Sequence, residues 1–494
     1  MQAVFAASPM RVNTPNPIFR LARSASLALC VAAMFASGAQ AAPGLLAIGT
    51  LNGSSDLSGL TGALENGLAG NVLGGMGSGM AWAGGNTFLA IPDRGPNATP
   101  YNAQPSAVDN TVSYISRFQT VNMTLAPSSS GSGLPMILTP VLTQTTLLSS
   151  SQPLVYGTGA GINLGTGAPA SNTASTFYFS GRSDNFGGSN SGNPLNGRFD
   201  PEAIRVSADG RSVFISDEYG PYVRQFDRTT GVLIRNFGLT EKYYAPNQSA
   251  VGDTEISGNT FGRVSNKGME GLAITPDGKT IIGIVQAPLA QDAAISASNK
   301  LLRIIAIDVA TGAIKGEYGY KLTTGSGVSE ITAINDHEFL VLERDGKGLG
   351  DGSNAAVKTL FKIDLAGATD ITNLIGTAAA NAAVAKTSFL DIVAVLGDNG
   401  ITKPNVPAKL EALAFGADIL VNGTLTHTLW MANDNDFLPN VAGPNNFYVF
   451  GVTDADLKGS MFVGQSIPVP STLALTLLAL AGLPAVRRLR RTKG

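Results

Sequence analysis

The chain has 494 residues, 59 of them glycine and 26 proline; 14% are charged and 44% apolar. That apolar content excludes a disordered chain, and the length excludes a single ordinary core in favour of several domains or one repeat architecture. Eight of the 33 basic residues lie before residue 42 or in the last eight positions, leaving 25 basic against 35 acidic residues in the body, net −10. Such a body excludes nucleic acid as the expected partner and suits cations.

In chain order, the first segment reads as an address. Arg11, Arg20 and Arg23 precede an apolar stretch from Ala25 to Phe35, and small residues follow to Ala39-Gln40-Ala41. This is the layout of a secretory signal, so residues 1–41 are expected to be removed on export. The apolar run is too short for a membrane span. Cys30, the only cysteine, leaves with it, so the mature body, expected over residues 42–466, has no disulfide.

A first strand pair is expected in GMAWAGGNTFLAIPDRGPN from Gly79, ending at Asp93-Arg94, with SYISRFQTVNMTL supplying outer strands. Between about 127 and 190 the chain is rich in Ser, Gly and Thr, and TFYFSGRSDNF reads as a further strand with a polar end. From Asp200 the chain reads DPEAIRVSADGRSVFISDEYG, then YVRQFD, RTTG and VLIRNFG: four short apolar runs separated by glycine turns, the pattern of a four-stranded meander. The grammar recurs at NKGMEGLAITPDGKTIIGIVQ, at VSEITAINDHEFLVLERDG and at AKLEALAFG with HTLWMANDND. Each unit opens on a glutamate (Glu202, Glu270, Glu330, Glu411; spacings 68, 60 and 81), and its second strand ends in polar residues. A lone four-stranded sheet cannot cover its own faces, so repetition predicts an all-β protein: a β-propeller of about six or seven four-stranded blades, five of them clear. The last unit lacks an outer strand, and GLLAIGTL from Gly44 is expected to supply it and close the ring.

A ring turns scattered acids into neighbours. The inner-strand glutamates are expected to meet at one mouth, with Asp93, Asp217, Glu218, Glu343 and Asp434 around them and Arg94, Lys267, Arg344 and Lys409 adjoining. Three arrangements relieve the repulsion: hard cations such as Ca2+, pairing with the basic side chains, or hydrogen bonds from backbone N–H groups. Acids and bases at one face favour a site for a metal ion and an anion, with metal ligands Asp93, Glu202, Asp217, Glu218, Glu343 and Glu411 and catalytic groups Glu270, Glu330, Arg94 and Arg344. With only His337 and His427 available, zinc sites and Ser-His-Asp triads have little to build on.

The segments PDRGPN, FDPEAI with SDEYG, NKGMEGLA, SEITAI with LVLERDG, and LEALAF resemble the phytase-like family ("esterase-like activity of phytase") of secreted bacterial proteins. The resemblance, from about residue 46 to 452, implies kinship with calcium-dependent β-propeller phytases, in which carboxylates hold calcium and basic residues bind phosphate. It implies a monomer acting on phosphate monoesters or related esters; a non-catalytic propeller that binds a ligand or protein is the rival expectation. Residues 467–494 pair Pro468-x-Pro470 with an apolar run from Thr472 to Val486 and a basic end, similar to a PEP-CTERM sorting tag. That tag, of Gram-negative bacteria, implies export across the inner membrane to the periplasm, cell surface or medium, transient membrane association and an exosortase-type processing enzyme, although Val469 stands where the tag has Glu.

Overall fold

The computed structural model describes residues 43–97, 111–129, 133–157, 167–182, 190–220, 222–249, 252–296 and 300–468. The segments read as an export signal and a sorting tag lie outside them, apart from the first residues of the latter. Among the described residues no helix is long and apolar enough to cross a membrane.

Five antiparallel sheets form the body. The first blade holds Gly79–Trp82, Thr87–Ile91, Arg117–Pro127 and Met136–Leu147. Pro201–Val206, Ser212–Asp217, Tyr222–Asp227 and Leu233–Phe237 make the second, and Met269–Ile274, Thr280–Val285, Leu301–Asp308 and Ile314–Lys321 the third. The fourth has Gly327–Ala333, Glu338–Arg344, Lys358–Asp364 and Lys386–Asp391. In the fifth, Leu410–Phe415, Thr424–Asn433 and Asn445–Val452 are joined by Gly44–Leu51, which pairs antiparallel with Asn445–Val452. The inner strands touch in the order first, second, third, fourth, fifth and first again.

The sequence supports this packing because the strands are apolar on both faces. Every residue of Pro201–Val206, Ser212–Asp217, Met269–Ile274 and Thr280–Val285 is buried. Each sheet is sandwiched between neighbours, and five apolar clusters fill the five gaps between blades. Leu342 and Leu429, for example, belong to the cluster between the fourth and fifth blades. Truncating one such leucine to alanine costs about 2–5 kcal/mol. Hairpin turns repeat as the sequence implies. Asp209-Gly210 and Asp277-Gly278 both place glycine at φ +71°, a left-handed conformation that glycine adopts without strain. Asp277 Oδ1 accepts the Lys279 N–H and the Thr275 hydroxyl.

The expectation of six or seven blades is corrected to five. Of the Ser/Gly/Thr-rich stretch, Met136–Leu147 is the outer strand of the first blade, and beyond it the described residues form one ladder, Ser149–Ser150 with Phe177–Tyr178, two residues long. Without a longer alternating run there is no face to bury, so TFYF packs beside the second blade instead of founding its own. Phe179 meets Phe199 and Phe226 there, with ring centroids 5.5 and 5.6 Å away.

After the last strand the chain crosses the end of the body at which the inner strands finish. Val463 N–H donates to Ile334 O at 2.8 Å, Gln465 Nε2 donates to Val206 O at 2.8 Å, and Ile467 is buried between the first and second blades. This strap, with Arg205, lines a cavity of about 60 Å3 at the channel's end.

Candidate functional site

The opposite end, where inner strands begin and second strands finish, gathers the acids. Irregular pairing aims them. In the third blade Met269 pairs with Val285 and Gly271 with Ile284, leaving Glu270 as a bulge. Glu411 is the extra residue between Leu410 and Ala412, and Glu202 lies in the shift between Pro201 and Ile204. A bulge re-aims a side chain and ends regular pairing.

The fourth blade departs by one residue. There Val328 pairs with Glu343 and Glu330 with Leu342, so the bulge falls on Ser329. Since strand side chains alternate between faces, this slip sends Glu330 elsewhere. Its Oε2 lies 2.9 Å from Arg205 Nη2, and its Oε1 accepts the N–H groups of Leu272 and Ile331. Arg205 also donates to the carbonyls of Met80, Ile204, Ile331 and Leu413, which belong to four different inner strands. The Arg205–Glu330 pair thus stops the channel. Burial pushes Glu330 up to about 8, against the pull of Arg205 and the two N–H donors.

Among the described residues, eight carboxylates and three cations meet at the mouth: Asp93, Asp200, Glu202, Glu218, Glu270, Glu411, Asp434 and Asp436, with Arg94, Arg344 and Lys409. Arg94 Nη1 reaches Asp200 Oδ2 at 3.0 Å and Asn266 Oδ1 at 2.7 Å. Arg344 pairs with Glu411, lies 4.0 Å from Glu270, and donates through Nε to Ser329 Oγ at 2.5 Å. Lys409 Nζ bridges Asp434 at 2.9 Å and Asp436 at 2.5 Å. Two trios each bring one oxygen per residue within 4.8 Å of one another: Asp93, Asp434 and Asp436, and Asp200, Glu202 and Glu218.

Burial combined with like charge dominates the electrostatics. Burial lifts Asp93 to about 7 despite Arg94 and Lys409. Glu270 rises to about 7, through burial first and Glu411 next. Glu202 and Glu218 are driven well above the usual carboxylate range by burial and by Glu270. Burial also raises Asp434, whereas Asp436, which burial acts to raise, is held below its ordinary value by Lys409. Glu218 and Glu270 meet carboxyl to carboxyl, and Glu218 Oε1 and Glu270 Oε2 are buried with no donor among the described residues.

Of the site residues expected from the sequence, Asp93, Arg94, Glu202, Glu218, Glu270, Arg344 and Glu411 converge here. Three do not. Besides Glu330, Asp217 braces its own loop by accepting the N–H groups of Asp200 and Tyr219 and facing Arg224. Glu343 is taken up by Lys386, the Tyr320 hydroxyl and Thr324, which tie the third blade to the fourth. Lys267 is exposed and makes no ion pair among the described residues. Asp200 and Asp436 were not expected as site residues; both sit just outside strand ends, where alternation assigns no direction. The signal available was proximity, Asp200 two residues before Glu202 and Asp436 two after Asp434.

A five-bladed propeller with a buried acidic mouth is the class that fold and site define. Residues 71–437 match the family described as Phytase-like: Esterase-like activity of phytase, and the chain belongs to that family. An "Uncharacterized secreted protein" of Arthroderma benhamiae is 28% identical over 304 residues; the chain spans about half of that relative, the match covering 54% of each. Among solved structures, the major allergen Mala s 1 of Malassezia sympodialis shares 11% identity at a TM-score of 0.33, over 79% of this chain and 81% of that one. Regucalcin from Agrobacterium tumefaciens, described as a calcium-binding protein, shares 10% at 0.28, over 85% and 99%.

Proposed function

We propose that the chain is an exported hydrolase of phosphate monoesters or related esters, working at the acidic mouth with a hard divalent cation such as Ca2+. The observation that carries this reading is the excess of buried carboxylates over cations, with two carboxyl oxygens left without a donor. An all-oxygen set of this kind fits Ca2+, which takes six to eight oxygen ligands, and suits nitrogen- or sulfur-seeking metals poorly. Bound there, the cation would supply charge neutralisation and a more acidic water. Arg94 and Arg344 are the groups suited to grip an anionic ester oxygen. Glu270, raised to about 7 without an ion, would give up its proton to a bound cation and serve as one of its ligands. To Glu330, Asp217 and Glu343 we assign support, since their oxygens are occupied by Arg205, backbone N–H groups and Lys386. Gly44–Leu51 serves as the latch of the ring. Export is in line with the name of the Arthroderma relative, and a sorting tag beyond residue 466 would add transient membrane contact and exosortase-type processing; we expect the body to act as a monomer.

One observation favours a second reading, a propeller that binds cations or a partner without turnover: Arg94, Arg344 and Lys409 are all already paired with carboxylates. The deciding assay measures phosphate release from p-nitrophenyl phosphate and phytate, and cleavage of p-nitrophenyl acetate, with Ca2+ and with chelator. Calcium-dependent turnover is expected. Calcium-dependent stabilisation with no turnover of any substrate selects the binding module.

A further inference from the structure

We propose that the mouth takes one divalent cation, held by Asp200, Glu202, Glu218 and Glu270, and that Lys409 is a built-in cation occupying the other half among Asp93, Asp434 and Asp436. The inference rests on the reading of the mouth as a cation site and specifies where in it the ion sits.

The two acidic trios look alike in composition and differ in what neutralises them. Around Asp434 and Asp436 the Lys409 ammonium is already in place, 2.9 and 2.5 Å from one oxygen of each. Lysine carries a compact point charge on a long stem, so its head can stand where a small ion would. The backbone fixes it there: Asp434 N–H donates to Lys409 O at 3.0 Å, and Asp436 N–H donates to Asp434 Oδ1 at 2.7 Å. Asp93 spends one oxygen on the Gly95 N–H at 3.0 Å.

In the other half the described cations pair at the edge and leave Glu202, Glu218 and one oxygen of Glu270 unmatched. Arg94 pairs with Asp200, through its N–H at 2.9 Å and Nη1 at 3.0 Å, and reaches on to Asn266. Arg344 is drawn to Glu411 and stays 4.0 Å from Glu270. Glu202 makes no ion pair among the described residues. Glu218 and Glu270, 1% and 3% exposed, each keep a buried oxygen without a donor. Abutting buried carboxylates need a proton or a cation between them. Oxygen donors alone, several of them carboxylate, select a hard ion.

The test counts ions. The full chain is stripped with chelator and titrated with Ca2+ by calorimetry, with metal analysis after dialysis. One ion per chain is expected. Glu218→Gln should weaken binding by about tenfold or more, whereas Asp436→Asn, in the lysine half, should keep one ion at nearly unchanged affinity. Lys409→Met should bind two. Two ions in the unaltered protein, or an effect of Asp436→Asn larger than that of Glu218→Gln, overturns the assignment while leaving the mouth a cation site. No binding at all overturns both. If Lys409→Met folds only when Ca2+ is present, the ion is replacing the ammonium, as expected; if it binds one ion or none, the lysine is not standing in for one.

Discussion

At the start of the inner strands the channel opens among eight carboxylates and three cations; at their ends Arg205 stops it and the strap from Phe462 to Gln465 covers it. The same five strands build both ends, yet each handles buried charge differently. Arg205 is solvated by four carbonyl oxygens as well as by Glu330, so its charge is satisfied even when Glu330 carries a proton. Among the described residues the mouth has no comparable set of donors for its acids, and burial lifts several carboxyls there well above the usual carboxylate range. Buried charge matched from within stabilises the ring. Unmatched charge leaves an opening for an ion from outside.

The comparison breaks most sharply at the stopped end. Arg205→Met removes the donor from buried carbonyls and the counter-charge from Glu330, a loss of about 3–5 kcal/mol. Urea unfolding should show that loss, while the number of Ca2+ ions bound by the folded fraction stays the same. At the mouth the effect is conditional. At a Ca2+ concentration 100 times its dissociation constant, bound ion stabilises by about 2.7 kcal/mol. Glu270→Gln should shrink that increment in thermal melts without lowering cation-free stability, because it removes one of the crowded acids. An undiminished calcium response would return Glu270 to a structural role.

The gentlest test is pH. Glu330 is raised from 4.5 to about 8 in the folded protein, so the folded state holds its proton more tightly than the unfolded chain does. Its contribution to stability is full below about 4.5 and is lost as pH rises through about 8, at no more than about 1.4 kcal/mol per pH unit. Glu330→Gln should flatten this part of the pH–stability profile measured in the presence of chelator. A profile unchanged by the substitution would mean the carboxyl is ionised throughout.

The sequence made the fold legible where a unit repeated in full: a glutamate, an apolar run, a glycine turn and a polar strand end. It misled where composition alone was read: the described part of TFYFSGRSDNF founds no blade, because its ladder is two residues long. The site was legible at Glu202, Glu270 and Glu411, which share a bulge position. It was not legible at Glu330, because SEITAI and MEGLAI look interchangeable until the register puts Ser329 at the bulge. Asp217 and Glu343 were lost for a related reason: adjacent strand-end residues point to opposite faces, and only Glu218 and Arg344 face the mouth.

The route taken by the strap fixes how the molecule can be held. Pro468, the last described residue, lies against the turn at Gly210, on the side remote from the acids. An attachment made close beyond it would therefore grip the base and leave the charged cup uncovered.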